Sequence, residues 1–203
     1  MHLPKLFKTE NYEVLQEVIT NNPFSNLIIY NKRIIATRAM MAINGSENDF
    51  YIETHLNKAN PVARQIDIKE EVLCEFLGSH TYISSSWYDH INVSTWNYEQ
   101  VQIYGKVEFM TETALYNHLN KLTNTYESSQ KCPITLEKMG KAFVEKEMKG
   151  AIGIKIIPTE IKIKQKLSQN RDDKNFNNII EKLSQSEDEM DMRIAEKMKK
   201  LRS

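Results

Sequence analysis

The sequence predicts an α+β fold built on an antiparallel sheet or barrel, with helices mainly in its second half. Up to Phe109 the chain is dominated by alternating or β-branched apolar runs, whereas after Thr111 helical spacing of apolar residues prevails. The chain has 203 residues, 40% of them hydrophobic. That is enough for one medium-sized domain, or two small ones, with a substantial core.

Short apolar runs bounded by turn residues predict the strands. Asn31-Lys32-Arg33 separates two of them at hairpin spacing, Gly78 is expected to break a strand, and Pro158 is expected to divide a final strand pair. The predicted strands cover 24–30, 34–43, 50–55, 72–77, 82–84, 96–109, 151–157 and 159–164.

Helical spacing predicts a helix over 10–20, a helix over 111–127 capped by Thr111, and further helices over 134–148 and 176–183. Residues 62–68 form either a short helix or a connection. The tail from 187 is acidic first and basic last, which suits the helix dipole. Its narrow apolar stripe is expected to dock on the body of the protein or on a partner. The stripe consists of Met190, Ile194, Met198 and Leu201.

The composition excludes several functional classes. Six glycines form neither a Walker loop nor a dinucleotide fingerprint, and GxSxG and HExxH motifs are absent. A net charge of zero gives no basic excess for nucleic acid, and no apolar run approaches the roughly 18 residues of a membrane span. Without a secretory leader we expect a cytoplasmic protein in which Cys74 and Cys132 are reduced, buried thiols.

Aromatic side chains are concentrated between His80 and Tyr98, a segment with both tryptophans and three of the nine tyrosines. Rings interleaved with hydroxyls and an amide suit a planar polar ligand, because rings stack on it and polar groups satisfy its edges. From composition alone, a packed core cluster is the commoner explanation.

Two polar segments could hold an anion. Thr54–Pro61 supplies a hydroxyl, an imidazole, an amide and an ammonium, and Thr37-Arg38 on the preceding strand would add to it, although an ordinary polar turn is the commoner explanation. Lys166–Arg171 is either a solvated strand end and turn or a contact to an anion or cofactor, which could lie across a subunit interface. No pair of metal-ligand motifs is present, so we expect no metal.

Four motifs occur together in one known family. Ser84–Tyr88, Thr95–Tyr98, His55-x-x-Lys58-Ala59-Asn60-Pro61 and Lys166–Asn170 recur in order in the PaiB-like family, the FMN-binding negative transcriptional regulators. The opening Met-x-x-Pro-Lys and the Gly78–Ser84 segment also resemble that family. The resemblance covers about residues 1–183.

The resemblance implies a split β-barrel with peripheral helices, like that of pyridoxamine-phosphate oxidases and flavin reductases. In such proteins FMN lies between the subunits of a homodimer. Residues 1–183 would then form the FMN-binding split-barrel domain, and 184–203 an amphipathic helix packed on the body or on a partner subunit.

The resemblance also implies a set of FMN-binding residues. Gln100 corresponds to the strand glutamine that faces the flavin ring, with Trp96 and Asn97 just before it. Arg38 stands where the family has histidine; it either strengthens phosphate binding through a bidentate pair or points away. The residues for the phosphate are Thr37, Arg38, Thr54, His55, Asn57 and Lys58, and those of the late motif that reaches the neighbouring subunit are Lys166, Ser168, Gln169 and Arg171.

Three functions stay open at this point. The first is a flavin-dependent oxidoreductase or sensor, for which no catalytic residue stands out. The second is a transcriptional regulator that acts by DNA or protein binding, although direct DNA binding is doubtful because no helix-turn-helix, zinc finger or basic zipper is recognisable. The third is a haem-binding split barrel with His55 or His80 as axial ligand.

Overall fold

The computed structural model describes residues 1–202. It contains strands β1 (Lys8–Thr9), β2 (Phe24–Asn31), β3 (Arg33–Asn44), β4 (Tyr51–Asn57), β5 (Glu71–Ile83), β6 (Thr95–Phe109) and β7 (Ala151–Lys166). Its helices are α1 (Tyr12–Asn21), α2 (Pro61–Gln65), α3 (Glu112–Glu127), α4 (Leu136–Met139), α5 (Lys141–Met148), α6 (Asp173–Ser184) and α7 (Glu189–Lys200).

The strands form one seven-stranded sheet in the order β1-β7-β4-β3-β2-β5-β6. A further pairing between β7 and β6 makes six of the strands a closed ring, to which β1 is added at β7. The pairs β1–β7, β2–β3, β3–β4 and β4–β7 are antiparallel. This topology confirms the predicted α+β fold on an antiparallel barrel.

The chain divides into two compact units. The terminal unit comprises residues 1–22, 75–102 and the chain from 161 onward, and the central unit comprises 23–74 and 103–160. None of the helices within residues 1–202 is both long and apolar enough to cross a membrane.

The central unit contains the β2–β3 hairpin and helices α2 to α5. Lys32 links the two strands with φ +59°, the left-handed region typical of tight turns, which confirms the predicted hairpin. The Thr111 hydroxyl accepts from the Ala114 amide at 3.2 Å and caps α3 as predicted. The single helix predicted over 134–148 is wrong, because Gly140 with φ +84° separates α4 from α5.

The terminal unit is centred on α6 and α7. Their apolar faces share a core with Ile83, Tyr88 and Leu167. Of the predicted tail stripe, Ile194 and Met198 are fully buried in that core. In this structure α7 therefore packs within the terminal unit.

Three other local predictions are wrong. The strand expected to break at Gly78 is continuous, since β5 runs through it, and β7 likewise continues through Pro158. A Cβ at Gly78 would lie 3.1 Å from the Glu99 Cβ, so glycine permits close approach within the sheet. Cys74 is buried as expected, whereas Cys132 is exposed.

Candidate functional site

The six residues predicted to bind phosphate all lie in the central unit, and we call them the phosphate group. Two are on β3 and the others run from β4 into the turn that follows it. Arg38, Asn57 and Lys58 are exposed, whereas Thr37 and His55 are half-buried. The antiparallel β3–β4 pair, in the register Met41 to Thr54, places the two contributing segments on neighbouring strands.

Asn60 joins the turn to β3. Its side-chain amide donates to the Thr37 hydroxyl at 3.0 Å, across 23 residues of sequence. Its carbonyl oxygen accepts from the Val62 amide at 2.9 Å and so caps α2, whose first residue is Pro61. One side chain therefore begins the helix and holds the turn with Lys58 against Thr37.

Two cations of the phosphate group are exposed and carry few contacts. The Lys58 ammonium donates to the Lys149 carbonyl at 2.8 Å, and an Arg38 guanidinium nitrogen donates to the Phe24 carbonyl at 3.3 Å. Within residues 1–202 neither is paired with a carboxylate, so both charges and most of their N–H groups remain available. Lys58 also borders a cleft of about 600 Å³.

Thr54 has a different environment from its neighbours. Its side chain is fully buried and its hydroxyl donates to the Met40 carbonyl at 2.7 Å. That hydrogen bond joins β4 to β3, so Thr54 stabilises the strands that carry the phosphate group.

His55 is linked to two residues that sequence analysis did not identify. Its Nδ1 lies 3.1 Å from Nε2 of His118 on α3, and Nδ1 of His118 lies 3.3 Å from the Glu53 carboxylate. Burial lowers the pKa of His55, and the neighbouring His118 lowers it further. The available signal was the position of His118 three residues after Leu115, on the apolar face of α3.

The aromatic segment divides between the core and the surface of the terminal unit. Tyr88 is buried and Trp87 packs on the helical core, as the packing explanation predicts. Trp96 and Tyr82 are 52% and 46% exposed, with ring centroids 6.1 Å apart, and His80 lies 6.3 Å from the Trp96 ring. These three rings form an accessible ledge suited to stacking.

Gln100 is half-buried on β6, four residues after Trp96. Its amide nitrogen donates to the Glu75 carboxylate at 2.8 Å, and Gln102 donates to the same oxygen at 3.1 Å. This arrangement fixes the Gln100 side chain through a neighbouring strand.

Asn97 and the late motif form a buried hydrogen-bonded cluster in the terminal unit. Ser168, which has φ +61°, donates through its hydroxyl to the Asn97 carbonyl oxygen at 3.0 Å. Both side chains are almost completely buried. Gln169 accepts from the Leu167 amide at 2.7 Å and donates to the Gln165 carbonyl at 2.6 Å. The cluster holds the segment after β7 in one conformation.

Positive charge is concentrated beside this cluster. Lys166 donates to the Thr95 hydroxyl, and its pKa is lowered by burial and by the nearby charges of Lys164 and Arg171. The Arg171 guanidinium lies 4.8 Å from the Tyr88 ring centroid. Its buried Nε and the Tyr88 hydroxyl have no hydrogen-bond partner within residues 1–202. Clustered cations with a free donor favour an anion nearby.

The predicted residues thus form two coherent sets, one in each unit. The phosphate group lies in the central unit, and Trp96, Asn97, Gln100 and the late motif lie in the terminal unit. In the part of the chain that the structure describes, no three His, Cys, Asp or Glu side chains are grouped to bind a metal ion.

Comparison with known proteins decides the family. The model of a family described as "Putative FMN-binding domain" matches residues 1–165. This chain belongs to that FMN-binding family. The chain is also 35% identical over 199 residues to the Protease synthase and sporulation protein PAI 2 of Bacillus subtilis, covering 98% of this chain and 96% of that protein. Both findings confirm the resemblance in the sequence motifs, and the family description agrees with FMN as the cofactor.

Two solved structures share the fold at low sequence identity. The flavocytochrome Anf3 from Azotobacter vinelandii is 14% identical, with a TM-score of 0.57, and the match covers 87% of this chain and 78% of that chain. The FAD and heme binding protein from Mycobacterium smegmatis is 13% identical, with a TM-score of 0.56 and coverage of 84% and 78%. These likenesses support the split-barrel architecture.

Proposed function

We propose that this chain binds FMN and uses it in a redox or sensing role, with the flavin phosphate held by the phosphate group. The Asn60–Thr37 hydrogen bond of 3.0 Å carries the proposal, because it brings the Lys58 turn beside Arg38's strand. Family membership supports the choice of FMN as ligand.

The donor set fits a phosphate. Arg38 offers a planar fork for two phosphate oxygens, Lys58 adds a point charge, and Asn57 and His55 add directional groups. Because the hydroxyl of Thr54 is buried and bonded to Met40, we assign Thr54 a supporting role without phosphate contact.

In the terminal unit, the aromatic ledge offers a stacking surface for a flavin ring. Trp96 and Tyr82 are exposed enough to stack on a flavin ring. Gln100, on the same strand as Trp96, donates to Glu75 on β5. When bound, FMN supplies one- or two-electron transfer. The chain's own residues bind and orient the cofactor and exclude water from its ring.

We further propose that a second copy of the chain completes the site. Tyr30 and Ile34 face each other across the β2–β3 hairpin and are 65% and 75% exposed, an apolar pair suited to an interface. Lys166 and Arg171, with the buried Asn97–Ser168 pair behind them, would then reach the cofactor of the neighbouring subunit. Sedimentation of the purified protein is expected to give twice the mass of one chain, and a monomer in the presence of FMN contradicts this.

We propose that this protein regulates gene expression indirectly, through its flavin chemistry. The Bacillus subtilis relative is named for protease synthesis and sporulation, and flavin chemistry on a small molecule would produce such effects without DNA contact. The zero net charge agrees with this. Binding to random duplex DNA should be weak and lost at moderate salt, whereas tight sequence-specific binding would favour a direct regulator.

Haem is the alternative cofactor, because one solved structure described above is named as an FAD and heme binding protein and the other as a flavocytochrome. His55 and His80 each use Nδ1 in a contact, with His118 and with the Gly78 carbonyl respectively, which leaves Nε2 for a ligand. The family description names FMN, so we favour flavin. A haem protein would show a Soret band.

Titration with two flavins tests the proposal. Adding cofactor-free protein to FMN should quench the flavin fluorescence with saturation, and riboflavin, which lacks the phosphate, should bind at least tenfold more weakly. Equal affinities for the two ligands would remove the phosphate group from the site. Failure of both to bind would overturn the proposed function.

A further inference from the structure

Three side chains of the central unit form a hydrogen-bonded series that ends at the phosphate group: Glu53, His118 and His55. We propose that Glu53 and His118 are positioning residues that fix the tautomer of His55, so that an anion binding at Nε2 of His55 is taken up together with one proton. The inference rests on the proposed function, in which that anion is the phosphate of FMN.

The direction of the hydrogen bonds follows from Glu53. Its carboxylate only accepts, and the same Oε2 atom also accepts from the Asn44 amide at 3.1 Å. His118 therefore carries its proton on Nδ1, 3.3 Å from Glu53, and presents a lone pair at Nε2. His55 Nδ1 lies 3.1 Å from Nε2 of His118 and must therefore donate a hydrogen bond to it.

The consequence concerns the other nitrogen of His55. A neutral imidazole carries one proton, and in His55 this proton is on Nδ1. Nε2 makes no hydrogen bond within residues 1–202 and bears a lone pair, which repels a phosphate oxygen. An anion can bind there only when Nε2 is protonated.

The surroundings favour the neutral form of both rings in the free protein. The His118 side chain is only 2% exposed, and burial lowers the pKa of both histidines. Lys121 lowers the pKa of His118 further, whereas Glu53 raises it. On β7, Gly153 stands opposite His55 and Lys155 opposite Glu53, so the strand adds one cation and no carboxylate at these positions.

Binding of the phosphate favours the protonated form of His55. A proton from solvent adds to Nε2 of His55, no other covalent bond changes, and the resulting imidazolium donates to the phosphate at Nε2 and to His118 at Nδ1. The negative charge of the phosphate raises the pKa of His55. The affinity for FMN should accordingly fall by up to about tenfold per pH unit as the pH rises above neutrality.

Two variants of His118 separate this role from simple packing. In His118→Gln the amide oxygen accepts from His55 and the amide nitrogen donates to Glu53, so the direction of the series is preserved. His118→Phe fills similar space but offers neither group, and His55 is then free to carry its proton on Nε2. We expect the glutamine variant to keep the proton uptake and the phenylalanine variant to lose it.

Calorimetry measures the uptake directly. FMN is titrated into the cofactor-free protein at pH 7.0 in buffers of different ionisation enthalpy, and riboflavin serves as the ligand without phosphate. We expect uptake of roughly 0.5 to 1 proton with FMN and almost none with riboflavin. His55→Gln should abolish the uptake, whereas His90→Gln, at an exposed histidine of the terminal unit, should leave it unchanged.

Nitrogen NMR of the free protein provides a second measurement that needs no ligand or variant. It should show His55 and His118 both protonated on Nδ1. An Nε2–H tautomer at His55 overturns the inference. Because the measurement uses the wild type, it decides the question even if His118→Phe does not fold. FMN binding by the wild type without proton uptake, or unchanged uptake in folded His118→Phe, also overturns it while the proposed function stands. Absence of FMN binding at any pH overturns the proposed function and the inference together.

Discussion

Replacing Lys58 by alanine removes one positive charge from the phosphate group and tests whether that group binds FMN. The Lys58 ammonium has three N–H groups, of which one donates to the Lys149 carbonyl, so two remain for a phosphate. A hydrogen bond between charged groups contributes roughly 1.5–3 kcal/mol. Lys58→Ala should therefore raise the Kd for FMN by about tenfold to 150-fold.

Lys106→Ala is the matched control. Lys106 is also an exposed lysine of the central unit whose ammonium donates to a backbone carbonyl, that of Lys69 at 2.7 Å. Each substitution removes one hydrogen bond to an exposed backbone carbonyl, which water can then hydrogen-bond instead. Each should therefore change the free energy of unfolding by less than about 1 kcal/mol. Only Lys58→Ala should weaken FMN binding.

The assay is quenching of FMN fluorescence at pH 7 and fixed ionic strength, with thermal unfolding measured by circular dichroism on the same samples. The loss of affinity should shrink as salt is added, because salt screens an exposed charge. An unchanged Kd in Lys58→Ala, or an equal loss in Lys106→Ala, would refute the placement of the phosphate beside Lys58.

Three further predictions concern other parts of the molecule. Lys197→Met should lower the free energy of unfolding by about 2–4 kcal/mol in chemical denaturation, because it leaves the buried Glu99 carboxylate without its cation at 2.9 Å, and adding Glu99→Gln should restore most of the loss. Acid unfolding should be less pH-dependent in Asp89→Asn than in the wild type. Hydrogen bonds from His90, Lys174 and Asn175 lower the pKa of Asp89, so its contribution is present above about pH 4, the unfolded value, and is lost as the pH falls through the folded value. A thiol reagent should modify Cys132 at once but Cys74 only after unfolding, since burial raises the Cys74 pKa to about 12; rapid modification of both would contradict the buried position.

Local features of the fold were predictable because they depend on neighbouring residues. The alternation in β2 and β3, the Thr111 cap and the Lys32 turn each arise from a few adjacent positions. Gly78 wrongly suggested a strand break. Glycine occurs there because the neighbouring strand β6 approaches closely at Glu99. Pro158 was misleading because β7 continues through it, between the stretch that pairs with β4 and the stretch that pairs with β1.

The candidate site was only partly predictable. The motif around Lys58 identifies the turn, because Asn60 and Pro61 begin a helix there by local rules. The pairing of His55 with His118 joins residues 63 positions apart, and Glu53 with His118 joins residues 65 apart. No periodic pattern encodes such contacts, so these two positioning residues emerged only from the structure.

The visible absorption spectrum of the purified protein, with mass spectrometry of any small molecule it releases on denaturation, tests the central claim most directly. We expect a yellow protein with flavin absorption bands and the release of FMN, either as isolated or after incubation with FMN. A Soret band with released haem, or a colourless protein that does not take up FMN, would contradict the account.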